Sequence, residues 1–167
     1  VYLADYFNLK VIDVSNPDNP VQLLNLEEIA LSVDVVGDRL YVGGGDFIIY
    51  DLTNPSNPQE LGRYDASSFS VEDFEIIGDL AYIANYHPSG IIILNISNPE
   101  NIYEVGRYSY RQCYAIDVEG DYAYCTNIDS EGTLFIYDVS NPENIELEAE
   151  NILSEETLAR YNPCKIS

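Results

Sequence analysis

The chain has 167 residues, room for one ordinary domain or for a few small units sharing a core. Seven Lys+Arg against 29 Asp+Glu leave a net charge of −22, which argues against nucleic-acid binding and against an anionic membrane surface, since both require Lys and Arg. Apolar residues make up 46% of the chain, so the acidity does not signal disorder, and no run reaches the roughly 20 apolar residues of a transmembrane helix.

The chain opens on a strand, Val1 to Asp5, and reaches a corner at Asp13-Val14-Ser15-Asn16-Pro17-Asp18-Asn19-Pro20. Next, Val33 and Val35 alternate with polar residues ahead of Gly37-Asp38. The strand Leu40-Tyr41-Val42-Gly43, the apolar run Phe47-Ile48-Ile49-Tyr50, the corner Asp51 to Pro58 and a strand Gln59 to Asp65 follow. A third pass gives Phe74 and Ile76, Gly78-Asp79, Ala81-Tyr82-Ile83-Ala84, Ile91 to Leu94, the corner Asn95 to Ile102, and a strand Ile102 to Ser109. A fourth gives Ile116 and Val118, Gly120-Asp121, Ala123-Tyr124-Cys125-Thr126, Leu134 to Tyr137 and the corner Asp138 to Ile145. Ser154 to Arg160 could form one helical turn and is expected to be a loop insertion; Pro163 to Ser167 is expected to be an inner strand.

The corners recur at spacings of 38, 44 and 43 residues, with the other markers in a fixed order, so the chain is four repeats. Alternation predicts a strand before each Gly-Asp, and Gly-Asp suits a two-residue hairpin with Gly first. The apolar runs predict strands covered on both faces, and Asn-Pro breaks the chain after them. Four-stranded units apolar on both faces must stack, so the expected fold is an all-β propeller of four-stranded antiparallel blades without substantial helix. The blades are expected at about 30–65, 71–109 and 113–151, with a fourth from 1–26 plus 163–167, in one repeat region spanning 1–167. Pairing of 163–167 with Val1 to Asp5 would close a four-bladed ring; the alternative is an arc of a larger ring. The absence of methionine adds the expectation of a processed product, an excised piece or a truncated reading frame.

These markers make the chain resemble the LVIVD-repeat family of β-propeller proteins, over essentially its whole length. Asn95 departs from the Asp of the turn motif, Ile102 and Ile145 from its final Pro, and Cys164-Lys165-Ile166 matches loosely. The resemblance implies a repeat region of a secreted or surface-attached protein, often within a larger multidomain chain, and implies no shared catalytic set.

Candidate chemistry is sparse. Cys113, Cys125 and Cys164 form no Cys-x-x-Cys or Cys/His cluster and are expected to be buried free thiols, with a Cys113–Cys125 bridge as the alternative. His87, the single histidine, sits in a loop and reads as solvated, since a triad is a matter of geometry. Gly43-Gly44-Gly45 lacks the Lys-Ser/Thr of a phosphate loop. Asp34, Glu75 and Asp117 share one inner-strand position, with Lys165 as the fourth. They are candidates for a carboxylate ring able to take Ca²⁺, against a bland wet channel edge. The corner carboxylates lack the EF-hand spacing and are expected to bond their own backbone.

The segments that differ between repeats are expected on one face, where recognition loops would lie on a rigid scaffold. Tyr6, Asp46, Tyr86, His87 and Asp129 come from the loops between second and third strands, and Tyr110 and Arg111 from an outer-to-inner connection. The expected function is a non-enzymatic binding or scaffold module, extracellular or at the cell surface, recognising protein or glycan. The alternative is a metal-dependent propeller hydrolase or oxidoreductase. No cofactor is required, and the acidic surface fits an extracellular or salt-tolerant habitat.

Overall fold

The computed structural model describes residues 1–66, 70–86, 90–127 and 132–152. Each repeat becomes one antiparallel sheet whose strands lie side by side in chain order. The first repeat supplies β1 (Tyr2–Ala4), β2 (Leu9–Asp13) and β3 (Val21–Leu26), and the second β4 (Ala30–Val36), β5 (Arg39–Gly44), β6 (Phe47–Asp51) and β7 (Gln59–Tyr64). The third supplies β8 (Asp73–Ile77), β9 (Leu80–Asn85), β10 (Gly90–Asn95) and β11 (Tyr103–Tyr108). The fourth supplies β12 (Ala115–Glu119), β13 (Tyr122–Thr126), β14 (Thr133–Asp138) and β15 (Glu146–Ile152). The expectation of an all-β chain of four repeats holds; the first sheet has three strands among the described residues, and the expected strand at 163–167 and turn at 154–160 lie outside them.

The repeated markers have repeated physical jobs. Across the Gly-Asp pairs the flanking residues Val36↔Arg39, Ile77↔Leu80 and Glu119↔Tyr122 are partners, so each hairpin loop is two residues long. Gly37, Gly78 and Gly120 sit at φ near +60°, a backbone that a side chain would strain. The Asp carbonyls of these hairpins accept from Leu52 N, Ile96 N and Val139 N at 2.8–2.9 Å, which ties each hairpin to the corner of its own repeat.

Each corner is a pair of overlapping Asx turns. Asp13, Asp51, Asn95 and Asp138 accept from the backbone two residues on, at Ser15, Thr53, Ser97 and Ser140. Asn16, Asn54, Asn98 and Asn141 do the same at Asp18, Ser56, Glu100 and Glu143. Asn95 therefore does what Asp does elsewhere. The Ser15 amide holds the Asp13 carboxyl below the usual carboxylate range, and the Ser140 side chain and amide do so for Asp138. The corners are architecture, as expected. A bulge falls at the same place in the pairing of the last two strands of every sheet, at Val11/Ile12, Ile49/Tyr50, Ile93/Leu94 and Ile136/Tyr137.

The chain forms two compact units. The first holds Val1–Val71 with the turn Asn98–Ile102, and the second holds Glu72–Ser97 with the described residues from Tyr103 onward. In the first, Leu9, Ala30, Leu40, Val42, Ile48 and Tyr50 form the core between two sheets. In the second, Tyr82, Ile91 and Ile93 of one sheet meet Ile116, Phe135 and Tyr137 of the next. Ile48 and Ile49 are both buried, as are Ile92 and Ile93, so the apolar runs are covered on both faces as predicted.

Close approach between sheets depends on glycine. A Cβ at Gly62 would fall inside the Pro99 carbonyl, and one at Gly106 inside the Pro142 carbonyl, so the next corner rests directly on each outer strand. The equivalent residue in the first repeat is Leu24, and there the Pro55 carbonyl accepts from the Tyr2 hydroxyl at 2.9 Å instead.

The cysteine expectation is corrected. Cys113 and Cys125 are not free thiols but form a disulfide, with Cα atoms 5.4 Å apart and both residues fully buried. The reason is register: Tyr114 N donates to Thr126 O at 2.7 Å, folding the approach to β12 back beside β13. Cys164 lies outside the described residues.

Candidate functional site

With hairpins and corners tied together at one end of each sheet, described residues of the segments that differ between repeats meet at the other. In the first unit Tyr6 N donates to Ala30 O at 2.9 Å and Gly45 N to Ile29 O at 3.3 Å, joining three variable loops. In the second, Cys113 N donates to Asn85 O at 3.2 Å and Tyr114 N to Thr126 O, joining three more. Of the variable segments, 67–69, 87–89 and 128–131 lie outside the described residues.

The loop between β1 and β2 is built around Asp5. Its Oδ1 accepts from Asn8 N at 2.7 Å and from Phe7 N at 3.2 Å, while its other oxygen is ion-paired with Lys10. Lys10 is the main reason that the Asp5 carboxyl lies below the usual carboxylate range. This turn places Tyr6 at φ +76°, the left-handed backbone, alone among the described non-glycine residues. Tyr6 is 61% exposed and Phe7 72%, with their rings edge to face at 5.1 Å.

In the same unit, Arg63 is an ionic hub. Its guanidinium reaches Glu60 at 2.6 Å, Asp46 at 2.8 Å and Glu28 at 3.1 Å. Asp46 also accepts from Ala66 N at 3.1 Å, so both of its oxygens are engaged. The Arg63 contact lowers the Glu60 carboxyl, and burial, with Glu28 and Glu60 nearby, pushes the Tyr50 hydroxyl up to about 12.

In the second unit Tyr110 is 67% exposed, with the Arg111 guanidinium 4.6 Å over its ring and Arg111 Nη2 2.8 Å from Glu150. Tyr86 and Tyr114 stand perpendicular at 6.5 Å. Tyr137 is fully buried, its hydroxyl has no hydrogen-bond partner among the described residues, and desolvation raises its pKa. His87 and Asp129 lie outside the described residues.

Asp34, Glu75 and Asp117 do occupy one register position, opposite Tyr41, Tyr82 and Tyr124. Asp34 Oδ1 accepts from Val35 N at 2.8 Å. Among the described residues no group of three or more His, Cys, Asp or Glu is gathered to hold a metal ion. No helix among them is long and apolar enough to cross a membrane.

Sequence reasoning placed Tyr6 and Asp46 but missed Arg63 and Ile29. Arg63 carried a signal, since Gly62-Arg63-Tyr64 returns as Gly106-Arg107-Tyr108. Ile29 carried none, because it is held by other segments, with Gly45 N bonded to its carbonyl and Tyr6 N to that of Ala30.

The LVIVD repeat matches four times, at residues 1–27, 29–66, 70–109 and 111–150. The chain belongs to the LVIVD-repeat family. Each match coincides with one sheet, so the LVIVD repeat is here a single antiparallel sheet with its corner. No curated protein matches the chain. The crystal structure of a computationally designed protein, Ika8, is similar in fold, with a TM-score of 0.61 at 11% identity over 87% of this chain. The chain covers 43% of that protein, less than half its length.

Proposed function

We propose that the four LVIVD sheets are blades of a β-propeller, a closed four-bladed ring or an arc of a larger one, acting as a non-enzymatic binding module. It recognises protein or glycan through the loop end of the blades, as part of a secreted or cell-surface protein within a larger chain. One observation carries this reading: among the described residues, segments that depart from the repeat meet at the end opposite the invariant corners, at Tyr6–Ala30 and Gly45–Ile29 in one unit and Cys113–Asn85 in the other. A scaffold that repeats at one end and varies at the other is organised for recognition. The Cys113–Cys125 disulfide supports an oxidising compartment, where such bonds persist.

The test is a labelled chain applied to glycan and synthetic-peptide arrays. Binding is expected to fall with Phe7→Ala or Tyr110→Ala at the loop end. It is expected to survive Asp138→Asn, a corner change for which Asn95 is the built-in precedent. Binding indifferent to both loop substitutions, or no ligand on either array, would overturn the proposal.

A further inference from the structure

We propose that the loop end of the first unit is a docking surface for a basic polypeptide segment, with Tyr6 and Phe7 as its aromatic anchor. The inference rests on the binding-module reading and names the partner's chemistry.

Tyr6 holds a left-handed backbone that is costly for a large side chain, and the turn around Asp5 enforces it. The result is two rings more than half exposed, an arrangement that contributes little to the core. Strain kept to display apolar surface points to a contact made with something else. The chain continues this surface through Ile29, 55% exposed, because Tyr6 N is bonded to Ala30 O.

The charge at the same loop end, joined to the Tyr6 turn by the Tyr6 N–Ala30 O bond two residues from Glu28, selects the partner. Three carboxylates, Glu28, Asp46 and Glu60, share the one guanidinium of Arg63, Lys10 is matched by Asp5, and the exposed Glu27 adds another negative charge, so the surface is net acidic. Lys and Arg side chains lie favourably over aromatic faces and beside carboxylates. A sugar stacks best on one flat face, whereas these rings stand 73° apart. The chain's net charge of −22 attracts the same basic partner from a distance.

Isothermal titration calorimetry of the whole chain uses three probes: a short alternating Lys–Leu peptide, a Glu–Leu peptide and cellohexaose. The Lys–Leu peptide is expected to bind and the other two not. Phe7→Ala should weaken it at least about tenfold and Glu27→Gln by a few-fold, while Tyr122→Ala, an exposed ring on β13, changes nothing. Phe7→Tyr should retain binding. Unchanged affinity in both Phe7→Ala and Glu27→Gln would overturn the site, as would cellohexaose in place of the peptide or no peptide binding at all. Loss confined to Tyr110→Ala would also overturn it, while leaving the loop-end binding reading standing.

Discussion

Arg111 and Glu150 form the same ion pair as Glu28 and Arg63, with the charges exchanged. Arg111 and Glu28 both lie five residues before the matched inner-strand residues Ile116 and Val33, and Glu150 and Arg63 hold one outer-strand position. The separations are 2.8 and 3.1 Å, each within its own unit. In these two repeats the pairing keeps opposite charges and exchanges their sign, whereas the third has Phe69 and Arg107 at these positions. Both pairs close the loop end of a core where a tyrosine hydroxyl is buried, Tyr137 in one and Tyr50 in the other.

Reversing one charge should therefore cost stability and reversing both should restore it. Arg111→Glu is expected to lose about 1–2 kcal/mol, because it removes a half-exposed pair, a stacking contact with Tyr110 and creates a like-charge contact. Adding Glu150→Arg should recover most of the electrostatic part, about 0.5–1 kcal/mol. Urea unfolding of the four species forms the cycle. No recovery in the double variant would show that the two positions do not interact.

Gly106 offers a steric test of sheet stacking. Gly106→Ala places a methyl group inside the Pro142 carbonyl and should destabilise by about 2 kcal/mol or more, because backbone must move. Gly78→Ala meets nothing but takes a strained φ of +60°, and should cost about 1 kcal/mol. Denaturant midpoints at equal slope rank the two; a milder effect at Gly106 would contradict the close approach.

Legibility in the sequence follows from repetition. Corners and hairpins could be read because each solves a backbone problem locally, with Asx side chains or a positive-φ glycine, and so must recur. Gly62 and Gly106 left a readable trace as glycines inside strands, which marks close backbone approach. The disulfide was not readable, because twelve residues of separation say nothing until register places Cys113 beside Cys125. Of the loop end, Tyr6 stood out by differing between repeats. Its backbone partner Ala30, and the Glu28 that pairs with Arg63, come from another segment, which only the fold brings near.

The disulfide predicts a thiol count. Unfolded without reductant, the chain should show one reactive thiol, Cys164, and with reductant three. Replacing both Cys113 and Cys125 by Ser should cost about 2–3 kcal/mol, from the unfolded-state freedom regained and the polar atoms buried. Three thiols before reduction would refute the bridge.

Calcium separates the acidic column from a metal site. Thermal melts in calcium and in chelator are expected to coincide for the unmodified chain, since no ligand group gathers among the described residues. Glu75→Gln should then shift the melt by the same amount in both. A calcium-dependent rise in Tm that Glu75→Gln abolishes would establish a site.

Alkaline pH tests the buried tyrosines. The hydroxyl of Tyr50 is pushed up to about 12 by burial, against 10 when solvated, so the folded chain holds that proton more tightly than the unfolded one. The stability linked to it is complete below pH 10 and is lost as pH rises from about 10 towards 12. Tyr137 is raised in the same direction by the same cause and loses its contribution likewise. The chain has 15 tyrosines and no tryptophan, so tyrosinate absorbance reports ionisation without interference. The last tyrosines to ionise should do so together with loss of the β-sheet circular dichroism signal. Tyr50→Phe should shift that alkaline unfolding to higher pH. Full tyrosine ionisation while the sheet signal persists would place these hydroxyls in solvent and contradict their burial.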